Sequence, residues 1–267
     1  MNTTQPGPGR SVLAVVAHPD DAELAMGMRL LDHAQAGDRV RVHCLSTGRP
    51  GKDDGEARRA ECLAAAKILR IDRYTFSAIP DTRFTDHRGA INAALFDAFA
   101  EERPDIVYTH FPDDQHLDHA VTSAEATTVA MREAADLVYF RSPYSRNFEP
   151  NLLFVGTPEL LAAKQKALTC FASQQQLDMP VFTGLNTLAY RQHVHHRVVE
   201  RFPEDAYGAE MFRTARQIVH ATRSLAGALC GWHGGQEPAL ASYPSVDRHN
   251  TGPVRSPRPR SAAPTRI

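Results

Sequence analysis

The sequence predicts an α/β fold, with a doubly wound, mostly parallel sheet and helices on both of its faces. Short strand-like and helix-like segments alternate along the first half of the chain, which is typical of a parallel sheet. Two strand-like runs, Ser11–Ala17 and Ile106–Thr109, each end in a cluster of Asp and His. Because ligands bind at the carboxyl ends of the strands in such sheets, both clusters are expected to face one crevice.

The individual elements follow from hydrophobic spacing. Helix one is predicted at about Ala22–Ala36, where Leu24, Met28 and Leu31 recur at helical intervals. Beyond the two runs above, the predicted strands are Arg39–Thr47, Tyr74–Phe76, Leu137–Arg141 and Leu152–Val155. The later predicted helices are about Glu56–Leu69, Gly89–Glu102, His119–Ala135, Pro158–Ala172, Thr183–Val199 and Ala209–Ala226. This order is Rossmann-like, with the ligand site at the C-terminal ends of the strands.

Length and composition favour a single domain of ordinary globular character. The 267 residues are 42% hydrophobic and 23% charged, which suffices for one large core. Residues 1–10 are expected to be a flexible leader, because they are polar and rich in Pro and Gly. The α/β domain is expected over residues 11–245, followed by a disordered tail at 246–267 that has too little apolar surface to fold.

Charge, hydropathy and cysteine usage limit the expected partners and compartment. The formal net charge of −1 excludes a global electrostatic attraction to nucleic acid or to a membrane surface. No apolar run reaches the roughly 20 residues that span a bilayer, so we expect neither a transmembrane segment nor a secretory signal. The four cysteines form no CxxC pair, which is typical of reduced thiols in a cytoplasmic protein. The sequence leaves the oligomeric state open.

The residue types in the two clusters are those of a catalytic metal site. Zn²⁺ takes imidazole and carboxylate ligands and, in catalytic sites, keeps one position open for water. His18, Asp21 and His119 would satisfy that ligand count. A free carboxylate nearby, Asp20, could accept the proton of the activated water. His116 lies three residues before His119 and could donate to a leaving group or to an oxyanion.

Together the two clusters resemble the motifs of the PIG-L/LmbE-like N-deacetylases. Ala17-His18-Pro19-Asp20-Asp21 with Glu23 is followed downstream by His116-Leu117-Asp118-His119. The resemblance covers about residues 11–135. Members of this family are zinc-dependent enzymes that remove acetyl groups from N-acetylglucosamine-type sugars. The order of the paired motifs is more specific than either motif alone.

The resemblance implies a role for each matching residue of the metal centre. The zinc ligands would be His18, Asp21 and His119. Asp20 would be the general base that takes a proton from water. Ligand type alone leaves another divalent transition metal open.

The resemblance also implies how the substrate is bound and released. His116 matches the group that stabilises the oxyanion or protonates the amine, with Asp118 as its orienting partner. Arg58 matches an Arg that reaches substrate in some relatives, and Arg59 is its near-equal rival. Where the family often has a Gly-rich turn, this chain has Ala25–Met28, which leaves the fit to substrate open.

The sequence therefore predicts a zinc-dependent hydrolase that deacetylates a small N-acetylated amino sugar or glycoconjugate. Two alternatives are a metal-dependent phosphoester or nucleotide hydrolase and a non-catalytic sugar-binding module. No P-loop or dinucleotide fingerprint favours the first, and the presence of Asp20 argues against the second. His110, Asp113 and Asp114 are interpreted as structural residues that pack or shape the loop.

Overall fold

Seven strands form one β-sheet in the part of the chain that the structure describes. The structure is a computed structural model that describes residues 9–47, 55–133, 136–174, 179–194 and 208–218. All of these residues belong to the same compact unit of the chain. The tail predicted at 246–267 lies outside them, so its disorder stays a prediction.

The strands and helices alternate along the chain as expected for an α/β protein. The strands are β1 (Ser11–Val16), β2 (Arg39–Cys44), β3 (Arg73–Phe76), β4 (Ile106–His110), β5 (Asp136–Phe140), β6 (Leu152–Gly156) and β7 (Gly208–Arg216). The helices are α1 (Asp21–Gln35), α2 (Gly55–Leu69), α3 (Arg88–Glu102), α4 (Leu117–Glu133), α5 (Pro158–Leu168) and α6 (Met179–His193). A short 3₁₀ helix, Phe84–His87, precedes α3.

The order of strands in the sheet is β3-β2-β1-β4-β5-β7-β6. Neighbours from β3 to β5 are parallel, whereas β7 runs antiparallel between β5 and β6. The chain moves outward from β1 to β3 and then returns to place β4 on the other side of β1. Ligands bind at such a switch point, outside the carboxyl ends of the strands. The predicted doubly wound fold is confirmed. Its switch point lies between the neighbouring strands β1 and β4, which precede the two Asp/His clusters.

The alternation of side chains along β1 builds a hydrophobic core on each face of the sheet. Val12, Ala14 and Val16 pack in one core with residues of α1, α2 and α5. Leu13 and Val15 pack in the other core with residues of α3 and α4. All six residues of β1 are buried, which explains why a central parallel strand reads as a continuous apolar run.

The stretch predicted as a helix at Ala209–Ala226 begins instead as a strand, so that prediction is wrong. β7 covers Gly208–Arg216, and the last residues of the predicted helix lie outside the described part of the chain. Ala, Glu, Met and Arg are good helix formers. However, Phe212 pairs with Phe140 on one side and with Leu152 on the other. Pairing with two strand edges outweighs the local helix propensity.

The other predicted elements begin and end within four residues of the observed ones wherever both ends are described. The end of the helix predicted at Thr183–Val199 is outside the described residues. None of the described helices is long and apolar enough to cross a lipid bilayer.

Helix α1 is broken near its middle, and a buried ion pair lies at the break. Met26 has non-helical dihedral angles (φ −145°, ψ 25°). The backbone N–H groups of Met28 and Arg29 donate to the carboxylate of Glu210 at 3.0 and 2.8 Å. The ammonium of Lys164 donates to the same carboxylate at 2.7 Å, and both side chains are buried. One carboxylate of β7 thereby joins α1 to α5.

Candidate active site and metal centre

A tight turn between β1 and α1 brings two of the predicted site residues together. Asp20 has a φ of 87° and is left-handed, a conformation that costs a non-glycine residue roughly 1–2 kcal/mol. The Asp21 carboxylate accepts the backbone N–H of His18 at 2.8 Å. Along an extended strand Asp20 and Asp21 would lie on opposite sides. The turn instead returns Asp21 to His18.

The three predicted metal ligands lie next to each other. His18 Nδ1 is 3.6 Å from Asp21 Oδ2, and His119 Nε2 is 3.4 Å from Asp21 Oδ1. The ring centres of His18 and His119 are 5.4 Å apart. Zinc bonds of roughly 2.0–2.2 Å in a tetrahedral site place neighbouring ligand atoms about 3.4 Å apart. The donor chemistry of this trio suits a zinc ion, and Asp21 lies within 3.6 Å of both imidazoles.

Carboxylates outside the trio lie close to the other nitrogen of each imidazole. His18 Nε2 lies 3.2 Å from both Asp118 Oδ2 and Asp81 Oδ1. His119 Nδ1 lies 3.3 Å from Asp114 Oδ1. Histidines that bind metals commonly give their second ring nitrogen to a carboxylate, which fixes the orientation of the ring. The remaining nitrogen of each ring then faces the centre of the cluster. His18, Asp81 and Asp118 are themselves close enough to hold an ion.

Negative charge is concentrated around these buried imidazoles. Burial opposes protonation of His18 and His119, but the neighbouring carboxylates outweigh it. They raise the pKa of His18 well above its usual value and that of His119 to about 9. Burial also opposes ionisation of Asp21, but the charges of His119 and His110 keep its pKa well below the usual range. A divalent cation would balance the same charge that these protons balance.

Two further histidines border the trio and offer alternative ligand sets. His110 Nε2 lies 3.3 Å from Asp21 Oδ2, and its ring stacks on His119 at 4.0 Å. Burial lowers the pKa of His110 to about 4, so its imidazole is neutral at neutral pH. The ring of His116 lies 4.4 Å from that of His119 and 4.8 Å from that of His18. Within the described residues, His119 forms one set with His18 and His116, and another with Asp21 and His110, whose ligand atoms all lie within 4.8 Å of one another. The trio of His18, Asp21 and His119 does not meet that spacing.

Asp20, the predicted base, is buried at the edge of the trio. Burial and the charge of Asp21 raise its pKa to about 8. Arg58 is also buried, and its Nη2 lies 4.0 Å from Asp20 Oδ2. Arg59 is exposed, with its guanidinium 4.7 Å from the ring centre of Phe76. Of the two predicted arginines, Arg58 is the one that lies at the site.

Asp118 binds a different partner from the one that the resemblance implies. Its Oδ2 lies 3.2 Å from His18 Nε2 and accepts the N–H of Thr82 at 2.6 Å. Its other oxygen accepts the N–H of Phe84 at 3.3 Å. These hydrogen bonds orient His18 and the loop after β3, whereas the expected partner was His116.

Sequence reasoning missed three members of the cluster. His110 and Asp114 lie in the second cluster, but their spacing does not separate them from residues that only shape a loop. Asp114 does shape that loop, because it accepts the N–H of His116 at 2.9 Å and a hydrogen bond from the hydroxyl of Ser142. Asp81 follows β3 in sequence. Its place at the carboxyl end of a neighbouring strand is the signal that could have identified it.

Comparison with known proteins matches the chain to a family and to two curated relatives. Residues 13–131 match the PIG-L family, described as GlcNAc-PI de-N-acetylase. The uncharacterized deacetylase YaiS of Escherichia coli (strain K12) is 30% identical over 165 residues, which cover 60% of this chain and 89% of YaiS. The 4-oxalmesaconate hydratase of Pseudomonas putida is 29% identical over 213 residues, which cover 66% of this chain and 77% of the hydratase.

A solved structure extends the comparison to the fold. The N,N′-diacetylchitobiose deacetylase of Pyrococcus horikoshii has a TM-score of 0.59 and 19% identity, and the match covers 80% of this chain and 86% of that one. Likeness at that identity shows a shared fold alone. The match to the family spans both Asp/His clusters, and the match to YaiS spans most of that protein. The chain therefore belongs to the PIG-L family of de-N-acetylases.

Proposed function

We propose that the protein is a zinc-dependent N-deacetylase that hydrolyses the acetamide of an N-acetylated amino sugar or glycoconjugate. Water is consumed, and acetate and a free amine are formed. One observation carries the proposal: a buried carboxylate, Asp20, lies beside the trio of His18, Asp21 and His119. A buried acid with a raised pKa next to ligands that fit a metal is the arrangement expected of a general base.

The same trio would hold the metal. His18 and His119 supply imidazole nitrogen and Asp21 supplies carboxylate oxygen, the donors that zinc prefers. A bound zinc ion would supply a Lewis acid and lower the pKa of a water molecule. The surrounding carboxylates keep the two rings in place, as outer carboxylates do in metalloenzymes.

Asp20 accepts the proton of the attacking water in this proposal. The left-handed turn keeps its carboxylate separate from that of Asp21, which serves the metal. Arg58, 4.0 Å away, lowers the pKa of Asp20, but burial and the charge of Asp21 outweigh it. A bound metal cation would lower that pKa further and so favour the ionised form that acts as the base. The accepted proton then passes to the departing nitrogen.

His116 stabilises the negative oxygen that develops on the acetamide carbonyl. It is half-buried beside the trio, on the same face as Tyr144, whose ring centre lies 5.8 Å away. Burial and the charges of His119 and His18 lower the pKa of His116. A neutral imidazole retains one N–H, which suits it to donate a hydrogen bond to the oxyanion.

The assignment of ligands predicts the metal content. Purified protein should carry about one zinc-like ion per chain, the number that one such site allows. His18→Ala and His119→Ala should each lose most of it, because each removes a nitrogen ligand from the trio. Elemental analysis of the desalted proteins measures the ion directly.

Two further variants separate the trio from the alternatives. His110→Ala should retain more metal than His119→Ala, since His110 belongs only to an alternative set. His87→Ala, outside the cluster, is the matched control. The assignment is wrong if His18→Ala and His119→Ala keep a full complement of metal, or if His110→Ala loses as much as they do.

The activity is tested by measuring both products of hydrolysis. N-acetylglucosamine and N,N′-diacetylchitobiose should yield acetate and free amine in a one-to-one ratio with the zinc-loaded protein. A phosphomonoester tested in parallel should yield no phosphate. Binding of the sugars without acetate release would indicate a binding module instead, and phosphate release would indicate a phosphoesterase.

One comparison favours a second candidate, the addition of water to a carbon–carbon double bond. The relative from P. putida, 29% identical, is named as a hydratase of 4-oxalmesaconate. Such a reaction also needs activated water and a proton donor, but its carboxylate substrate needs cationic partners. Arg58 and Arg141 are cations near the described site. Loss of the ultraviolet absorbance of a conjugated unsaturated dicarboxylate, without acetate release from sugars, would favour this function.

A further inference from the structure

A cavity of about 300 Å³ opens directly beside the proposed metal ligand Asp21. Its walls come from α1, from the segment that follows β5, from α6 and from β7. This volume is at the lower end of the range for small-molecule sites, roughly 300–1,000 Å³. The mechanism proposed above uses Asp21 at its edge and leaves the rest of the cavity unassigned.

Apolar surface exceeds polar surface in the walls of the cavity. The side chains that supply carbon surface include Leu24, Phe140, Phe182, Leu185 and Met211. Two of the polar residues in the wall are already engaged. The carboxylate of Glu210 is bound by Lys164 at 2.7 Å, and the hydroxyl of Ser142 donates to Asp114. The exposed residue Arg141 also lines the cavity.

One buried polar atom in the wall has no described partner. Asn186 is 8% exposed, and its Nδ2 donates to the carbonyl of Ala209 at 2.9 Å. Its Oδ1 is buried without a hydrogen bond from any described residue. A buried acceptor in this state costs free energy unless a donor arrives. The atom has almost no accessible surface, so the cavity offers a ligand carbon contacts while this acceptor lies behind its wall.

This balance does not suit a sugar ring. A pyranose carries several hydroxyl groups, and most would lose their hydrogen bonds with water against these walls. An apolar group gains by the same burial. The sugar is better placed outside the cavity, nearer His116 and Arg58, where polar side chains are available.

We propose that this cavity binds an apolar substituent of the substrate, an aryl ring or a medium-length alkyl chain. The inference rests on the proposed deacetylation and narrows its substrate to amphipathic glycoconjugates. The substituent could be the aglycone of the sugar or the N-acyl chain itself. Both present the same chemistry to the cavity, and the experiment separates them.

Two substrate series test the proposal. The first holds the acetamide constant and lengthens the aglycone of N-acetylglucosamine from methyl to butyl to hexyl. The second holds the sugar constant and lengthens the acyl group of N-acylglucosamine from acetyl to butanoyl to hexanoyl. In the series that uses the cavity, kcat/KM should rise about fourfold for each buried methylene. The other series should stay flat or fall.

Two substitutions on α6 test whether a rise in kcat/KM with chain length comes from binding in the cavity. Leu185 lines it and is 39% exposed, so a larger side chain can be accommodated at its mouth. Leu185→Trp should reduce the gain for the longest substrate roughly tenfold. Leu188, 50% exposed on the same helix and outside the cavity wall, provides the control. Leu188→Trp should leave the chain-length profile unchanged.

A binding measurement separates failure of this inference from failure of the proposed reaction. Hexyl glucoside has no amide to hydrolyse, and calorimetry should show that it binds wild type and Leu188→Trp more tightly than Leu185→Trp. That result without any acetate release would overturn the deacetylase and keep the cavity assignment. Acetate release with flat profiles in both series and no dependence on Leu185 would overturn the cavity assignment.

Discussion

Replacing Asp20 by Asn should leave the zinc content unchanged and lower the turnover of an N-acetylated sugar by roughly 10²–10⁴-fold, the usual contribution of a positioned general base. Asn has the size of Asp but cannot accept a proton at neutral pH. Asn also tolerates the left-handed conformation observed at this position. The substitution therefore removes the base while the turn that positions Asp21 is retained.

Asp21→Asn should have the opposite signature. It removes the carboxylate that lies between His18 and His119, so metal binding should weaken and added zinc should restore part of the activity. Metal content and deacetylation rate are measured on both variants at matched zinc, with Asp32→Asn, on the same helix, as the control. The roles are exchanged if Asp20→Asn sheds metal while Asp21→Asn retains it. The amidase mechanism fails if neither substitution lowers turnover.

Replacing Glu210 by Gln should destabilise the protein by about 3–5 kcal/mol, the usual cost of breaking a buried ion pair. The ammonium of Lys164 is buried at 2.7 Å from Glu210 and would keep its charge without a partner. The carboxylate also accepts the N–H groups of Met28 and Arg29. These groups begin the second half of α1 after the break at Met26, where a negative charge is favourable.

Chemical denaturation measures this effect and a double-mutant cycle explains it. In the Glu210→Gln background, Lys164→Met should recover part of the lost free energy of unfolding, because it removes the unpaired charge. Asp86→Asn breaks an exposed ion pair with Arg83 and should cost far less. A wild-type denaturation midpoint for Glu210→Gln would contradict the role given to this pair. So would equal losses from Glu210→Gln and Asp86→Asn.

The sequence by itself determined the fold class and the location of the two clusters. Both depend on the local pattern of residues along the sequence. A buried parallel strand must be apolar throughout, and a helix must repeat its apolar residues every three or four positions. The runs that end at His18 and His110 satisfy the first condition. Their strands are adjacent at the switch point, so a rule about strand ends sufficed to predict a shared crevice.

The tertiary structure decided which side chains complete the cluster. Asp81 is far along the sequence from His18, the residue that it contacts. Asp114 stands among several other acids of the second cluster. Local spacing therefore distinguishes neither residue. The choice between Arg58 and Arg59 depends on the rotation of α2 against the sheet. A difference of one residue turns a side chain by about 100° around the helix axis, enough to move it from the site to the surface.

Long-range packing also explains why β7 is a strand where the sequence predicted a helix. Its residues favour a helix in isolation, yet Phe212 pairs with two strands that are distant in sequence. Strand pairing of this kind is a property of the assembled sheet, because the free energy comes from partners that only the fold brings near. Local patterns therefore determined where the chemistry lies along the chain, and long-range packing decided which groups surround it.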